Sequence, residues 1–390
     1  MLSFNKTLSF GFTAPVLGVC MTVAVAATHP LDPLSADEYS IAAASILADP
    51  RAGDATRFAV IDLAEPEKSQ VQEDLEQATA RRSARALIYD WATRTTSAVV
   101  VDLADGAIVS WDETPDTEPP FRRLIISRLN EVAKGSTEFR SAMASAGIDD
   151  LGRVNLLASV DEDAPLDVAG NGDRFVRGNA YMMDERIEGM GAPVSVIVNL
   201  TRGEIADLQR TGGLWTPSDR RSPERGREPL APLEIEQPAG TSFSIEDHEI
   251  RWQNWRLHYG VHPRRGLELY DVRYRDDGEE RPVIWRAAVS DTVTPYGDPE
   301  WIAWYPNDEG DYGLGIYGIR SAVPNADAPP NAVFRSAVLH DHRGAPETIP
   351  RAVTVFERDG GVLWRHASES RRSRELVVAF YSTIDNYDYA

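Results

Sequence analysis

The sequence predicts an α+β protein: two small α+β domains followed by an incomplete antiparallel β-sandwich. Three observations predict it. A capping-box helix followed by strand-like runs opens the folded part of the chain. A second stretch of helix then strands, of similar length, comes next. From Thr241 onward the chain is short alternating runs with no long helical period. A chain of 390 residues has room for two or three domains, each with a real core.

Residues 1–27 read as a secretory signal peptide. Lys6 supplies the positive start, residues 8–27 are apolar, and Ala24-Val25-Ala26 is a small-residue cleavage pattern. Gly11, Pro15 and Gly18 interrupt the apolar stretch, which disfavours a membrane anchor, so no membrane association is expected after cleavage. The one cysteine, Cys20, lies inside this signal. The mature chain is therefore expected to be exported yet free of disulfides and thiolate chemistry, which suits a bacterial periplasm.

Residues 28–117 form the first small α+β domain. Ser35-Ala36-Asp37-Glu38 is a capping box opening a helix that runs toward Ala48. Strand-like runs follow at 58–63, 86–91 and 98–111, the last broken by the Asp105-Gly106 turn. Pro119-Pro120 marks the boundary to the second α+β domain, residues 118–215. There Leu124, Ile125, Leu129 and Val132 share one face of a helix over 122–146, and strands are expected at 154–160, 175–183 and 194–200.

Residues 211–240 are rich in Pro, Gly and charge, and 216–240 is assigned as linker. The β domain occupies 241–390, with runs at 250–257, 267–274, 283–289, 313–319, 352–357 and 376–382. Asp277-Gly278 and Asp359-Gly360 read as turns between them. The last run reaches Ala390 with no closing element, so the domain is expected to be incomplete.

Net charge is −21, which excludes a nucleic-acid binder that neutralises phosphates with a basic stripe. An acidic surface attracts cationic ligands, but only as an unspecific field. Read from the residues alone, the tail Thr383-Ile384-Asp385-Asn386-Tyr387-Asp388-Tyr389 is a polar, aromatic strand end with Tyr387 and Tyr389 on one side. Asn307-Asp308-Glu309-Gly310 and Pro295-Tyr296-Gly297 have turn compositions. His340-Asp341-His342 is a His-x-His pair, whose two histidines would share a face if they lay on a strand. It sits, however, in Leu339-His340-Asp341-His342-Arg343-Gly344, which reads as a surface hairpin turn. His29, His248, His258, His262 and His366 show no ligand spacing, and His366 reads as a packing position of the sandwich. Asn199-Leu200-Thr201 is a glycosylation sequon that matters only in a eukaryotic secretory route. Gly313-Leu314-Gly315 lacks the strand-to-helix context of a dinucleotide loop.

The wording and order of several motifs carry more. Thr383-x-x-Asn386-Tyr387-Asp388-Tyr389 resembles the quinone-precursor signature of the copper amine oxidases. His29-Pro30-Leu31-Asp32-Pro33-Leu34 looks like the start of that family's first small domain. Trp252-Gln253-Asn254-Trp255, Gly260, Leu269-Tyr270-Asp271-Val272-Arg273-Tyr274 and Arg281-Pro282-Val283 are similar to the opening of its β-sandwich. Pro295-Tyr296-Gly297-Asp298-Pro299, then Asp308-Glu309-Gly310-Asp311-Tyr312-Gly313-Leu314-Gly315, then Ile349-Pro350-Arg351-Ala352, Phe356-Glu357-Arg358 and Arg374-Glu375-Leu376-Val377-Val378 follow in the family order. The resemblance covers essentially all of the mature chain.

The resemblance implies oxidative deamination of primary amines, with oxygen and water, to aldehyde, ammonia and hydrogen peroxide. It makes Tyr387 the precursor of topaquinone, which would form a Schiff base with the substrate. Asp308 becomes the base that takes the α-proton. Tyr296 becomes the tyrosine hydrogen-bonded to a quinone oxygen, and Asn386 the residue that orients the ring. It also implies copper and a homodimer. The family's His-x-His pair follows the quinone tyrosine, whereas His340 and His342 precede it, so the copper ligands are expected beyond Ala390 and this chain alone is expected to be inactive. Two other readings stay open on the residues: a catalytically inert exported fragment, and an exported binding module that uses the β domain without metal.

Overall fold

The computed structural model describes residues 29–77, 81–119, 122–159, 173–184, 187–210, 236–289, 293–295, 306–308, 313–384 and 387–389. The signal segment, Tyr296, Asn386 and most of the linker lie outside the described residues.

The first unit is α1 (Ala36–Ala48), β1 (Thr56–Leu63), α2 (Lys68–Gln77), β2 (Ser83–Asp90), β3 (Thr95–Asp102) and β4 (Ile108–Pro115). The strands form an antiparallel meander in the order β1-β2-β3-β4. The capping box is present in both directions: Ser35 Oγ accepts from Glu38 N at 3.2 Å, and Glu38 Oε2 accepts from Ser35 N at 2.8 Å. Such a cap is worth about 1 kcal/mol. Tyr39, Ala42, Ala43 and Ile46 of α1 pack on Phe58, Ile61, Ala86, Ile88, Val99 and Val101. Helix α2 has no counterpart in the sequence reading. Its Lys-Ser-Gln-Val-Gln-Glu-Asp-Leu-Glu-Gln has almost no apolar period, and its one fully buried residue, Val71, packs with Leu31 and Tyr270.

The second unit is α3 (Arg122–Gly135), α4 (Thr137–Ser145), β5 (Val154–Ser159), β6 (Phe175–Asp184), β7 (Ile187–Asn199) and β8 (Glu204–Arg210), with a second meander in the order β5-β6-β7-β8. The single helix expected over 122–146 is two, because Ser136 leaves the helix and its Oγ accepts from Glu138 N at 3.1 Å to cap α4. The polar strand β8 was also not expected. Leu124, Leu129, Phe139 and Met143 pack on Leu156, Val176, Val194, Val196 and Val198, and the same core takes in Ala59, Tyr89 and Trp91 of the first unit. The two small units thus share buried surface.

The β part opens with a five-stranded antiparallel meander of β9 (Phe243–Glu246), β10 (Glu249–Trp252), β11 (Trp255–His262), β12 (Gly266–Asp276) and β13 (Glu279–Ala288). Two short strands, β14 (Val293–Pro295) and β15 (Pro306–Asp308), pair with each other. A three-stranded sheet of β16 (Val333–His340), β17 (Pro346–His366) and β18 (Glu369–Phe380) follows, then the small hairpin β19 (Ser382–Ile384) and β20 (Tyr387–Tyr389). Ile250, Leu257, Tyr259 and Val272 of the first sheet pack against Leu339, Val353 and Val355 of the second. Among the described residues no helix is long and apolar enough to cross a membrane.

Four expectations change here. The run 250–257 is two strands, reversed at Gln253-Asn254 with Gln253 at φ 52°. The run 313–319 is a succession of turns ending in an isolated bridge at Ile319. Gly315 lies so close to the His262 carbonyl oxygen that a Cβ would come within 2.1 Å of it, so this glycine serves close approach rather than pairing. Asp359-Gly360 is not a turn but a bulge in a continuous strand: Gly361 N donates to Asp359 Oδ1 at 2.9 Å, and the chain reverses later, at Ala367. His366 is exposed at the far end of the β17–β18 hairpin, beside exposed Val362, Leu363 and Trp364, and is not a packing position.

Candidate active site

Asp308 and Tyr387 lie on two separate two-stranded ladders. Asp308 ends β15 opposite Val293. Tyr387 begins β20 opposite Ile384, with Asp388 opposite Thr383 and Tyr389 opposite Ser382. Tyr296 and Asn386 fall outside the described residues, as do the side chains of Asp308 and Tyr387.

Strand β19 is anchored from both sides. Ile384 is fully buried and packs with Leu314 and Phe380. Ser382 Oγ donates to Leu314 O at 2.8 Å, Thr383 N to Gly318 O at 2.8 Å, and Arg320 N to Tyr381 O at 3.0 Å. A Cβ on Gly318 would meet Ser382 Oγ at 2.3 Å, which is why the turn segment can lie flat on the strand. The glycine-rich block at 313–318 therefore supports the tyrosine-bearing hairpin.

The His-x-His pair does not fit copper, and the surface-turn reading of it is half wrong. Asp341 does make the turn, accepting from Arg343 N at 2.8 Å and Ala345 N at 2.9 Å. His340 is fully buried. Its Nε2 accepts from Ile61 N at 2.8 Å, and its Nδ1 faces the Asp341 carbonyl at 2.7 Å. An N–H on one side and a C=O on the other admit one tautomer, neutral and protonated at Nδ1. Both nitrogens are used, and neither lone pair is left for a metal. Burial pushes the imidazole down to about 4, with Arg123 adding to the effect against the Asp341 carbonyl. The turn also accepts from Phe58 N through His342 O at 2.9 Å.

Residues 244–390 match the copper amine oxidase enzyme domain, and residues 35–111 match the AGAO-like N2 domain. The chain is 31% identical to a primary amine oxidase of Arthrobacter sp. (strain P1), over 94% of this chain and 58% of that protein. It is 32% identical to a histamine oxidase of Arthrobacter globiformis, over 94% of this chain and 56% of that protein. The chain belongs to the copper amine oxidase family. A copper-containing benzylamine oxidase from Hansenula polymorpha shares the fold, with a TM-score of 0.68 at 21% identity, covering 92% of this chain and 61% of that one. The chain spans little more than half the length of the curated family members it matches.

Sequence reasoning found no ligand spacing among the other histidines, yet the fold of this family member brings two of them together. His29 and His258 have ring centroids 4.3 Å apart. With Asp32 they form, among the described residues, a buried group whose donor atoms lie within 4.8 Å of one another. The proton positions argue against a metal. Leu31 N donates to His29 Nδ1 at 3.1 Å, so the ring proton sits on Nε2, which points toward Asp271 Oδ2 at 3.7 Å. A nitrogen that carries a proton offers no lone pair. His258 and Asp32 remain, one donor short of the three protein ligands of an open zinc site.

The cluster is better described as a polar seam between the first unit and the β part. Tyr270 Oη donates to Asp32 Oδ1 at 3.0 Å, and His258 lies 3.8 Å from Asp32 and 3.3 Å from Glu249. Burial pushes Asp32 up, but the neighbouring His258 and His248 imidazoles and the His29 backbone N–H, which donates to Asp32 Oδ2 at 2.9 Å, outweigh it and hold the carboxyl at about 2. Asp271 is likewise pushed up by burial and brought to about 2 by His29, Arg273 and Arg256. Asp62, buried against His262 at 3.1 Å and Arg85 at 2.7 Å, is also lowered. No signal in one sequence links position 29 to position 258, because the contact exists only after both domains have folded.

Proposed function

We propose that this chain is part of a copper amine oxidase that converts a primary amine, oxygen and water to an aldehyde, ammonia and hydrogen peroxide. The observation that carries the reading is the tail: the signature around Tyr387 lies in an anchored hairpin, inside a segment that matches the enzyme domain of the family. Tyr387 is the residue oxidised to topaquinone, and topaquinone supplies a reactive carbonyl and a two-electron sink that no unmodified side chain offers. Asp308 receives the α-proton of the bound amine. Tyr296 holds the ring by a hydrogen bond, and Asn386 orients it. By the family resemblance, copper is assigned to a His-x-His pair that comes after the quinone tyrosine in the family's order, not to His340 and His342.

The protein is proposed to be exported to the periplasm and to act as a homodimer. The exposed Val362, Leu363 and Trp364 at the end of the β17–β18 hairpin offer apolar surface for the second copy. The test is phenylhydrazine with copper-loaded full-length protein. A coloured covalent adduct at Tyr387, found by peptide mapping, is expected. Full copper occupancy with no adduct would overturn the reading in favour of an inert or binding module.

A further inference from the structure

We infer that Thr383 is a positioning residue that locks the register of the Tyr387 hairpin to the turn segment at 313–327. The inference rests on Tyr387 as quinone precursor and goes beyond it, by naming what holds that tyrosine's strand in place.

The described ladder pairs Ser382, Thr383 and Ile384 with Tyr389, Asp388 and Tyr387, and the register of β20 on β19 depends on the bonds its residues make across it. Register matters more here than in an ordinary hairpin. Side chains alternate with period two, so a slip of one residue moves Tyr387 to the opposite face and Asp388 into its place. Strand β19 cannot slip, since Ile384 and Ser382 are fully buried and Ser382 is bonded to Leu314. Strand β20 is the part that needs a lock.

Thr383 supplies it. Its hydroxyl donates to Asp388 Oδ1 at 2.6 Å, directly across the ladder. The same oxygen accepts from Arg320 Nε at 3.1 Å. Arg320 is itself fixed: its Nη1 lies 3.0 Å from Asp327 Oδ2, and its guanidinium lies 5.5 Å from the Tyr381 ring centroid. Asp327 also accepts from Val323 N at 2.8 Å. A chain of directional bonds thus runs from the turn segment, through Arg320 and Thr383, to the residue next to Tyr387. A hydroxyl that both donates and accepts is required at 383. Valine has the same shape and can do neither.

The experiment compares Thr383→Val and Thr383→Ser with wild type in copper-loaded full-length protein, using two readouts. The first is hydrogen exchange of the 382–389 segment. Thr383→Val is expected to exchange about tenfold faster there while the remaining β sheet keeps its protection, and Thr383→Ser is expected to stay close to wild type. The second is the yield of phenylhydrazine adduct per bound copper, expected to fall at least severalfold in Thr383→Val and to be restored in Thr383→Ser. Unchanged exchange in Thr383→Val overturns the inference, and so does a serine variant as defective as valine. A wild-type protein with no adduct overturns the assignment of Tyr387 instead, and the exchange arm still decides whether Thr383 holds the hairpin.

Discussion

The seam between the first unit and the β part, and the hairpin that carries Tyr387, are held by different means. The seam is buried and charged. His340, His29 and His258 are almost wholly excluded from solvent, and Asp32 and Asp271 are ionised there down to about 2. The hairpin is held across its strands by a bond from Thr383 to Asp388 that is exposed. Buried polar groups cost the most when a partner is lost, whereas an exposed bond costs little stability and acts through geometry. The difference separates two kinds of substitution. Changes in the seam should appear as stability, and changes at the hairpin or at the proposed base Asp308 as chemistry.

The sharpest way to break that division is Asp308→Asn in the full-length enzyme. Loss of a general base should lower kcat by about 10²–10⁴-fold. The melting temperature and the phenylhydrazine adduct should stay near wild type. A fall in melting temperature comparable to that of a core mutation would show that Asp308 supports the fold instead.

His340→Leu tests the other side. It leaves Ile61 N–H buried without an acceptor, at a cost of about 1–3 kcal/mol, measured by denaturant midpoint at neutral pH. The pH dependence sharpens the point. The folded His340 titrates below its ordinary value, so the unfolded chain binds the proton more readily. Its contribution is complete above about pH 6.5 and is lost as pH falls toward about 4, a change of order 3 kcal/mol. The leucine variant lacks this slope, so the two stability curves should converge near pH 4. Parallel curves would mean that His340 is not the group that titrates.

The smallest expected effect is at Ser35. Ser35→Ala removes the cap of α1 and should cost about 1 kcal/mol in thermal or denaturant unfolding, with no change in adduct yield. A loss of adduct would erase the proposed division, since α1 belongs to the first unit, away from the hairpin.

What could be read in advance follows the range of the interaction. The capping box at Ser35, the Asp105-Gly106 turn and the alternating runs at 58–63 and 86–91 depend on neighbours in sequence, and they are where the sequence places them. Helix α2 escapes because its apolar signal is only buried Val71 and exposed Leu75 in a polar segment. The bulge at Asp359-Gly360 escapes because the same two residue types serve turns and bulges, and only the partner strand decides between them. His340 sits in turn composition but is buried by a β strand far away in sequence, which no local pattern reports. The candidate site is legible only as an ordered set of motifs. Taken singly, Asp308 and Tyr387 are a turn residue and a strand residue.

One consequence of the His340 turn concerns the state in which the domains come apart. β1 is the outer strand of its sheet, with only β2 beside it. The register irregularity between Phe58 and Val60 turns the amides of both Phe58 and Ile61 outward, and His342 O and His340 Nε2 receive them. A β edge with open donors is a template for any passing strand. The turn between β16 and β17 therefore also acts as a plug against strand addition, and acid, by protonating His340, would pull that plug. Aggregation below about pH 4 should begin at β1.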